Sequence, residues 1–557
     1  MTSNKHGMTN ILLSIMLAAN VLFGSPVNYP ISLAGNFGEP RPNHFHGGVD
    51  VKTDGVEGKA IFSIGDGYVS HVSVGYDGFG NAVYVHHPEG YTSVYCHLKT
   101  FTPAIKAMVR KWQYVNKQST GDIWFKPTDL PVAKGQLIAI SGNSGASEAP
   151  HLHLELHETR SGDMLDPLDF IGQHVKDALA PMAHGFMAYP VSGEGVFNNN
   201  PGKSSHSFSS HNLPNKFTAW GKVGFGIWAN DYMEITYNRY GVKKTELLVD
   251  GKSVFKSNVN RIPYEKTVQV NAWGDHEHFL RYNVWYMHSF LYPGMGLQML
   301  SADKNKGIVN FNQERDYHLE YVLTDFKGNT SRYTFTVTGQ KRAFAPQRQA
   351  STLRSVYWNR PYALQTDGVQ LLIRPNSVAN AITLTPDISR KDDALSNACT
   401  FTNNAERLFR PARISLKLTK RVKDTSKLYI SGRGFGTRYL GGTYEKGWVT
   451  ANMRDLHLQY SIDYDDEPPI VSPVGQGNWN ATKTIKLGLT DAKSGVDTYQ
   501  GYIDGRFVLF EDVPLSPWVA CKLAETPIKR TGKQRRLTFF ATDNQGNKRR
   551  FETDILY

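Results

Sequence analysis

At 557 residues the chain is too long for a single hydrophobic core, and roughly 100–200 residues per domain predicts about three to five domains. Abundant glycine (50 residues) and aromatic residues (12%), with few long amphipathic helical runs, point to a largely β protein. The net charge of +12 is uneven: residues 25–180 carry 12 Lys and Arg against 16 Asp and Glu, whereas residues 181–557 carry 49 against 34, so the basic region suits an anionic partner such as a cell-envelope polymer.

The chain opens with a polar segment containing Lys5, followed by an apolar stretch over residues 11–24. That stretch is too short for a transmembrane helix and reads as a secretory signal over residues 1–24, with an uncleaved tether as the alternative. Nothing later approaches membrane-spanning length. The expected location is therefore the periplasm or cell envelope, or outside the cell, and the mature chain is expected not to span a membrane. Nucleic acid is a poor partner behind an export signal. Cys96, Cys399 and Cys521 are too few and too far apart for a disulfide framework or a thiolate zinc site, and Cys96 is expected in the core, facing away from His97.

Residues 25–180 hold three short clusters: His46-Gly47-Gly48-Val49-Asp50, Tyr95-Cys96-His97-Leu98 and His151-Leu152-His153-Leu154-Glu155. In an extended strand His151, His153 and Glu155 share one face and Leu152, Leu154 and Leu156 take the other. His46, Gly48 and Asp50 share a face if that segment is extended as well. Two imidazoles and a carboxylate, with a water in the fourth position, are the usual donor set of a catalytic zinc ion, which acidifies the water and polarises a carbonyl. His46, Asp50 and His153 supply such a set, although spacing does not decide between His153 and His151. Glu155 is either a partner that orients an imidazole or a solvated strand residue. Asn81 and Tyr95 are candidates to line a groove, with turn or packing roles as the alternative. His44, His71, His86, His87 and His157 read as ordinary exposed or satisfied histidines. Gly-Asp-Gly and Asp-Gly-Phe-Gly-Asn turns in residues 60–85 signal hairpins, and the polar stretch 101–130, helical over about 104–114, reads as a loop inserted beside the site.

The clusters resemble the lysostaphin-type (LytM-like) zinc metallopeptidases, bacterial cell-wall endopeptidases with the motifs His-x-Gly-x-Asp, Tyr-x-His-Leu and His-Leu-His-x-Glu. The match covers roughly residues 30–175 in order and includes the Gly-Asn-Ser-Gly turn before the third motif. The resemblance implies one Zn2+ held by His46, Asp50 and His153, with His97 and His151 as the catalytic pair. Leu154 stands where the family often has phenylalanine. Some relatives have lost their ligands and only activate other hydrolases; here every ligand position is kept.

Beyond residue 180 a grammar repeats. Trp228-Ala229-Asn230-Asp231, Leu248-Val249-Asp250-Gly251 and Thr324-Asp325-Phe326-Lys327-Gly328-Asn329 are echoed by Leu489-Thr490-Asp491, Tyr502-Ile503-Asp504-Gly505 and Thr542-Asp543-Asn544-Gln545-Gly546-Asn547. The expected organisation is a signal (1–24), an antiparallel-sheet metallopeptidase domain (25–180), an Ig-like β-sandwich (181–342), a β-rich domain of unknown role (343–466) and a second Ig-like β-sandwich (467–557). The expected activity is zinc-dependent hydrolysis of peptidoglycan peptides by an exported endopeptidase. Two other readings compete: a wall-binding scaffold, or an enzyme autoinhibited by loop 101–130, that activates other hydrolases; and a non-haem iron oxygenase, because two histidines and a carboxylate also form a facial triad.

Overall fold

The computed structural model describes residues 23–344, 354–390, 392–402 and 407–557. The secretory signal read in residues 1–24 falls outside the described residues as far as residue 22. No helix among the described residues is long and apolar enough to cross a membrane.

The first region is built on an antiparallel sheet from β1 (Leu33–Gly35), β2 (Val49–Lys52), β3 (Gly67–Val74), β4 (Ala82–His86), β5 (Tyr91–Cys96), β6 (Gly121–Trp124) and β7 (His151–Glu158). The strand order is β1-β2-β7-β5-β4-β3-β6, so β7 lies between the strand that carries Asp50 and the strand that precedes His97. A second sheet of three strands, Ala60–Phe62, Leu137–Ser141 and Leu98–Phe101, encloses a core with the first. Alternation in β7 buries Leu152, Leu154 and Leu156 completely in that core and turns His151, His153 and Glu155 to the other face.

The stretch 101–130 is not a loop beside the site. It forms helix α1 (Pro103–Asn116) and edge strand β6, and none of it lines the cleft described below. Ile105 and Val109, one helical turn apart, anchor α1 in the core with Ile123 of β6. The outer face of α1 docks on the last module, where Arg110 pairs with Glu511 and Glu525 at 3.0 and 2.9 Å and Tyr114 packs edge-on against Phe507. The chain thus folds back, its last module touching its first domain.

Residues 182–339 form a ten-stranded sheet wrapped around a core rich in phenylalanine, including Phe186, Phe225, Phe311 and Phe335. Residues 355–464 contribute two five-stranded sheets around a third core, and residues 470–556 two four-stranded sheets around a fourth. The repeated landmarks occupy matching places. Asp250 and Gly251 (φ 51° and 74°) close a hairpin, as do Asp504 and Gly505 (48° and 77°), the left-handed pair of a type I′ turn. Arg315 and Arg535 each pair with the turn aspartate at 2.8 Å.

The border read at residues 180 and 181 separates chain segments but not packing. Met233 and Tyr240 enter the first core, the Tyr240 hydroxyl donates to the Leu33 carbonyl (2.7 Å), and Met164–Leu165 pairs with Arg261–Ile262. Lys243 lies buried between Asp166 and Asp169.

Candidate metal centre

Register brings the distant clusters together. His153 on β7 is paired directly with Asp50 on β2 and with Cys96 on β5, and side chains opposite one another in an antiparallel ladder share a face. His46 precedes β2 across a bend rather than lying on one continuous strand with Asp50. The two glycines allow that bend to press against β7: a Cβ on Gly48 would overlap the Leu154 carbonyl, and one on Gly47 the Glu155 carboxylate.

Three donor atoms converge. His46 Nε2 lies 3.0 Å from Asp50 Oδ1 and 3.0 Å from His153 Nδ1, and His153 Nδ1 lies 2.8 Å from the same carboxylate oxygen. All three side chains are buried, and together they can hold a metal ion. The remaining nitrogens are committed: His46 Nδ1 donates to the Asn36 carbonyl (2.7 Å), and His153 Nε2 donates to Glu155 Oε1 (2.9 Å). These bonds aim Nε2 of His46 and Nδ1 of His153 at the shared point, the pattern by which outer partners fix metal-ligating imidazoles. Glu155 is therefore an orienting partner rather than a solvated residue, and His157 holds its second oxygen at 2.6 Å. His44, also read as an ordinary histidine, lines the cleft as well. His71 is bound to Asp122, His87 to Ser93, and His86 stacks on Tyr68.

Electrostatics follow from burial and pairing. Burial opposes the charge on Asp50, but His46, His151 and His153 outweigh it and hold the carboxyl well below the usual range. Burial likewise opposes a proton on His153, yet Asp50 and Glu155 on either side raise it to about 9. Burial lowers His46 as well. His97 is pushed down to about 4, by burial first and then by His153 and His151, so it is neutral near neutral pH.

His97 and His151 stand beside the donor set with ring centres 4.8 Å apart. His97 has a left-handed backbone (φ 59°) just past β5, and its Nδ1 donates to the Ser144 carbonyl of the glycine-rich turn, leaving Nε2 as an acceptor. His151 Nδ1 donates to the Ala149 carbonyl, and its Nε2 lies 3.4 Å from Asp50 Oδ1.

One expectation changes here, that for Cys96, while for Tyr95 and Asn81 the packing and turn roles weighed against a groove are the ones observed. Tyr95 does not line a groove: it pairs with Leu154 on the core face, fully buried, with its hydroxyl accepting from the Ile64 amide. Cys96, opposite His153, is on the site side of the sheet, because the left-handed turn at His97 breaks the alternation that would have separated the two. It packs beneath the site with Ala82 and Val94. Asn81 also lies off the cleft and ties the Leu98 carbonyl to the turn at Ser144.

The cleft over the centre has a volume of about 990 Å3. Sequence reasoning missed two of its walls. Arg41 places a guanidinium nitrogen 2.8 Å from Asp50 Oδ2, and Tyr264, from the second region, joins the lining. Nothing short of the chain path between residues 35 and 41 would have put Arg41 there. Tyr264 arrives only through the packing of the second region, where Asn271 bonds Asn43 and Trp273 packs on Phe45.

Residues 44–122 match the model of Peptidase family M23, a match that ends before His151, and residues 354–465 match that of the Zu5-like domain. A protein of Haemophilus influenzae described as an uncharacterized metalloprotease is 33% identical over 131 residues, 24% of this chain. The chain spans about a fifth of that relative's length (21%). Among solved structures, the catalytic domain of lysostaphin from Staphylococcus simulans is 22% identical over 25% of this chain and 90% of that one, with a TM-score of 0.19. A zinc-containing peptidase from Vibrio cholerae is 24% identical over 28% of this chain and 40% of that one, with a TM-score of 0.20.

Proposed function

With an N-terminal domain of Peptidase family M23 as the premise, we propose that the chain is an exported zinc-dependent endopeptidase that hydrolyses peptide bonds in peptidoglycan stems or cross-links. The observation that carries this reading is the convergence of His46 Nε2, Asp50 Oδ1 and His153 Nδ1 at the base of a cleft, flanked by two further imidazoles. The donor set suits zinc: two nitrogens and one carboxylate oxygen, each imidazole oriented by a partner of its own. Zinc bound there supplies Lewis acidity, polarising the scissile carbonyl and acidifying a water.

The side chains do the rest. His97, neutral and with a free Nε2, is suited to accept a proton from the attacking water and pass it to the leaving amine. His151 is the second imidazole beside the donor set, its Nε2 facing the cleft 3.4 Å from Asp50 Oδ1, where it completes the catalytic pair with His97. Glu155 keeps His153 from rotating out of the donor set. Arg41 holds the second oxygen of Asp50, leaving Oδ1 as the donor. The basic surplus of residues 181–557 supports retention on an anionic envelope polymer.

Digestion of defined cross-linked murein fragments, read by mass spectrometry, tests the reading. The zinc-loaded chain is expected to release new amino termini from the peptide portion, and a chelator or His153→Ala to abolish release. His97→Ala is expected to slow turnover by about 10²–10⁴-fold with zinc retained. Intact murein peptides after prolonged incubation with the zinc-loaded chain would refute the substrate class.

A further inference from the structure

A second cluster of oxygen donors lies at the junction between the first domain and the first sandwich. Asp177 is in the segment leading out of the first domain, Asp231 follows β9 (Asn212–Asn230), counting Met182–Phe197 as β8, and Asp325 follows β10 (Asp316–Thr324). One carboxylate oxygen from each lies within 4.8 Å of the others. Asp325 is anchored as an anion: its Oδ1 accepts the amides of Lys327, Gly328 and Asn329, and its Oδ2 accepts from the Asn329 side chain. Asp231 is only 2% exposed, yet its Oδ1 has no hydrogen-bond donor among the described residues, nor does Oδ2 of Asp177. A buried carboxylate oxygen without a donor is costly unless a charge or proton compensates it. The nearest lysine along the chain, Lys327, directs its ammonium to the Gly172 carbonyl instead.

The last module supplies an internal comparison. Asp465, Asp491 and Asp543 form the same triad at matching places in the repeat. There the protein provides its own donors: Asp465 Oδ1 accepts the Glu467 amide and its Oδ2 accepts the Ser494 hydroxyl. Among the described residues the first junction has a counterpart of the amide bond, from Leu179 to Asp177 Oδ1, but none of the serine contact, and Asp177 Oδ2 and Asp231 Oδ1 are left without a donor.

We propose that Asp177, Asp231 and Asp325 bind a calcium ion that clamps the first domain to the first sandwich, distinct from the histidine centre. Hard oxygen donors drawn from three separate segments suit calcium, which takes six to eight oxygens in flexible geometry and accepts backbone carbonyls and water to complete its shell. Burial, followed by the neighbouring carboxylates, pushes Asp231 up to about 8 and Asp177 to about 6, as expected of acids crowded together without a counter-charge. The three segments meet where Met233 and Tyr240 cross into the first core, so an ion there would tie the interdomain packing to the strand ends.

The test is calcium uptake by the zinc-loaded full-length chain in calcium-free buffer, measured by equilibrium dialysis with CaCl2 and by thermal unfolding. The expected result is one ion per chain and a rise in Tm of roughly 5 °C at saturating calcium. Asp231→Asn should lose the ion and the Tm response while unfolding no earlier than the parent in calcium-free buffer, because it relieves carboxylate crowding. Asp491→Asn should keep both. No uptake at millimolar calcium, which would leave a proton-sharing carboxyl cluster as the explanation, or undiminished uptake by Asp231→Asn, would overturn the proposal.

Discussion

His153 sits between two carboxylates, Asp50 at 2.8 Å and Glu155 at 2.9 Å, and that position sets how the centre takes up metal. Its folded-state pKa, about 9, lies above the ordinary histidine value of 6.5. In chelated protein the stabilisation from this proton is therefore fully present below about pH 6.5 and is lost as pH rises through about 9. Zinc must displace the same proton. Zinc binding is expected to release about one proton below pH 9, and apparent affinity to climb with pH until it levels off there. Calorimetric titration in buffers of different ionisation enthalpy measures this, and a heat independent of the buffer would contradict it. Alternation along β7 put His151, His153 and Glu155 on one face, but the resemblance rather than spacing chose His153 over His151, and His46 and His97 reach that face through a bend and a left-handed turn that alternation does not predict. The side taken by Cys96 was misread because the left-handed His97 shifts the strand's phase, a backbone feature that a non-glycine residue does not advertise. Arg41 and His157 carry no motif and enter only through contact.

Element geometry makes the centre a property of strand register more than of any single side chain. Asp50 meets His153 because β2 and β7 pair at those residues, and a slip of one residue would send the leucines of β7 to the cleft. Gly48 maintains that register at closest approach. Gly48→Ala is expected to cost about 1–3 kcal/mol by forcing a methyl group against the Leu154 carbonyl. Denaturant unfolding should reveal the loss together with weakened zinc retention; unchanged stability would show that the bend relaxes freely. Helix α1 was partly legible, its span over about 104–114 falling inside the observed Pro103–Asn116. Its place was not. Ile105, Met108, Val109 and Trp112 make an apolar face at helical spacing, and such a face says that one side is buried without saying against what.

Across the whole molecule, the chain returns on itself, with the last module held against α1 by Arg110, which reaches both Glu511 and Glu525, and by the Gln500 side chain on the Lys117 carbonyl (2.9 Å). Arg110→Glu sets three like charges together there and is expected to release the module, raising the radius of gyration in small-angle scattering while zinc content stays at one per chain. An unaltered scattering profile would mean that other contacts suffice. The repeated turns could be read from sequence because Asp-Gly turns and the Asp-x-x-Gly-Asn loops are local signals with fixed backbone demands. Contacts between domains could not, since they join surfaces far apart in the chain without periodicity. The most direct measurement of the central claim is zinc K-edge X-ray absorption on the full-length chain loaded with one zinc. It should record only nitrogen and oxygen neighbours at about 2.0–2.2 Å with imidazole scattering from two histidines, and His153→Ala should lose the metal. A sulfur neighbour near 2.3 Å, which would implicate Cys96, or a spectrum unchanged by His153→Ala, would contradict it.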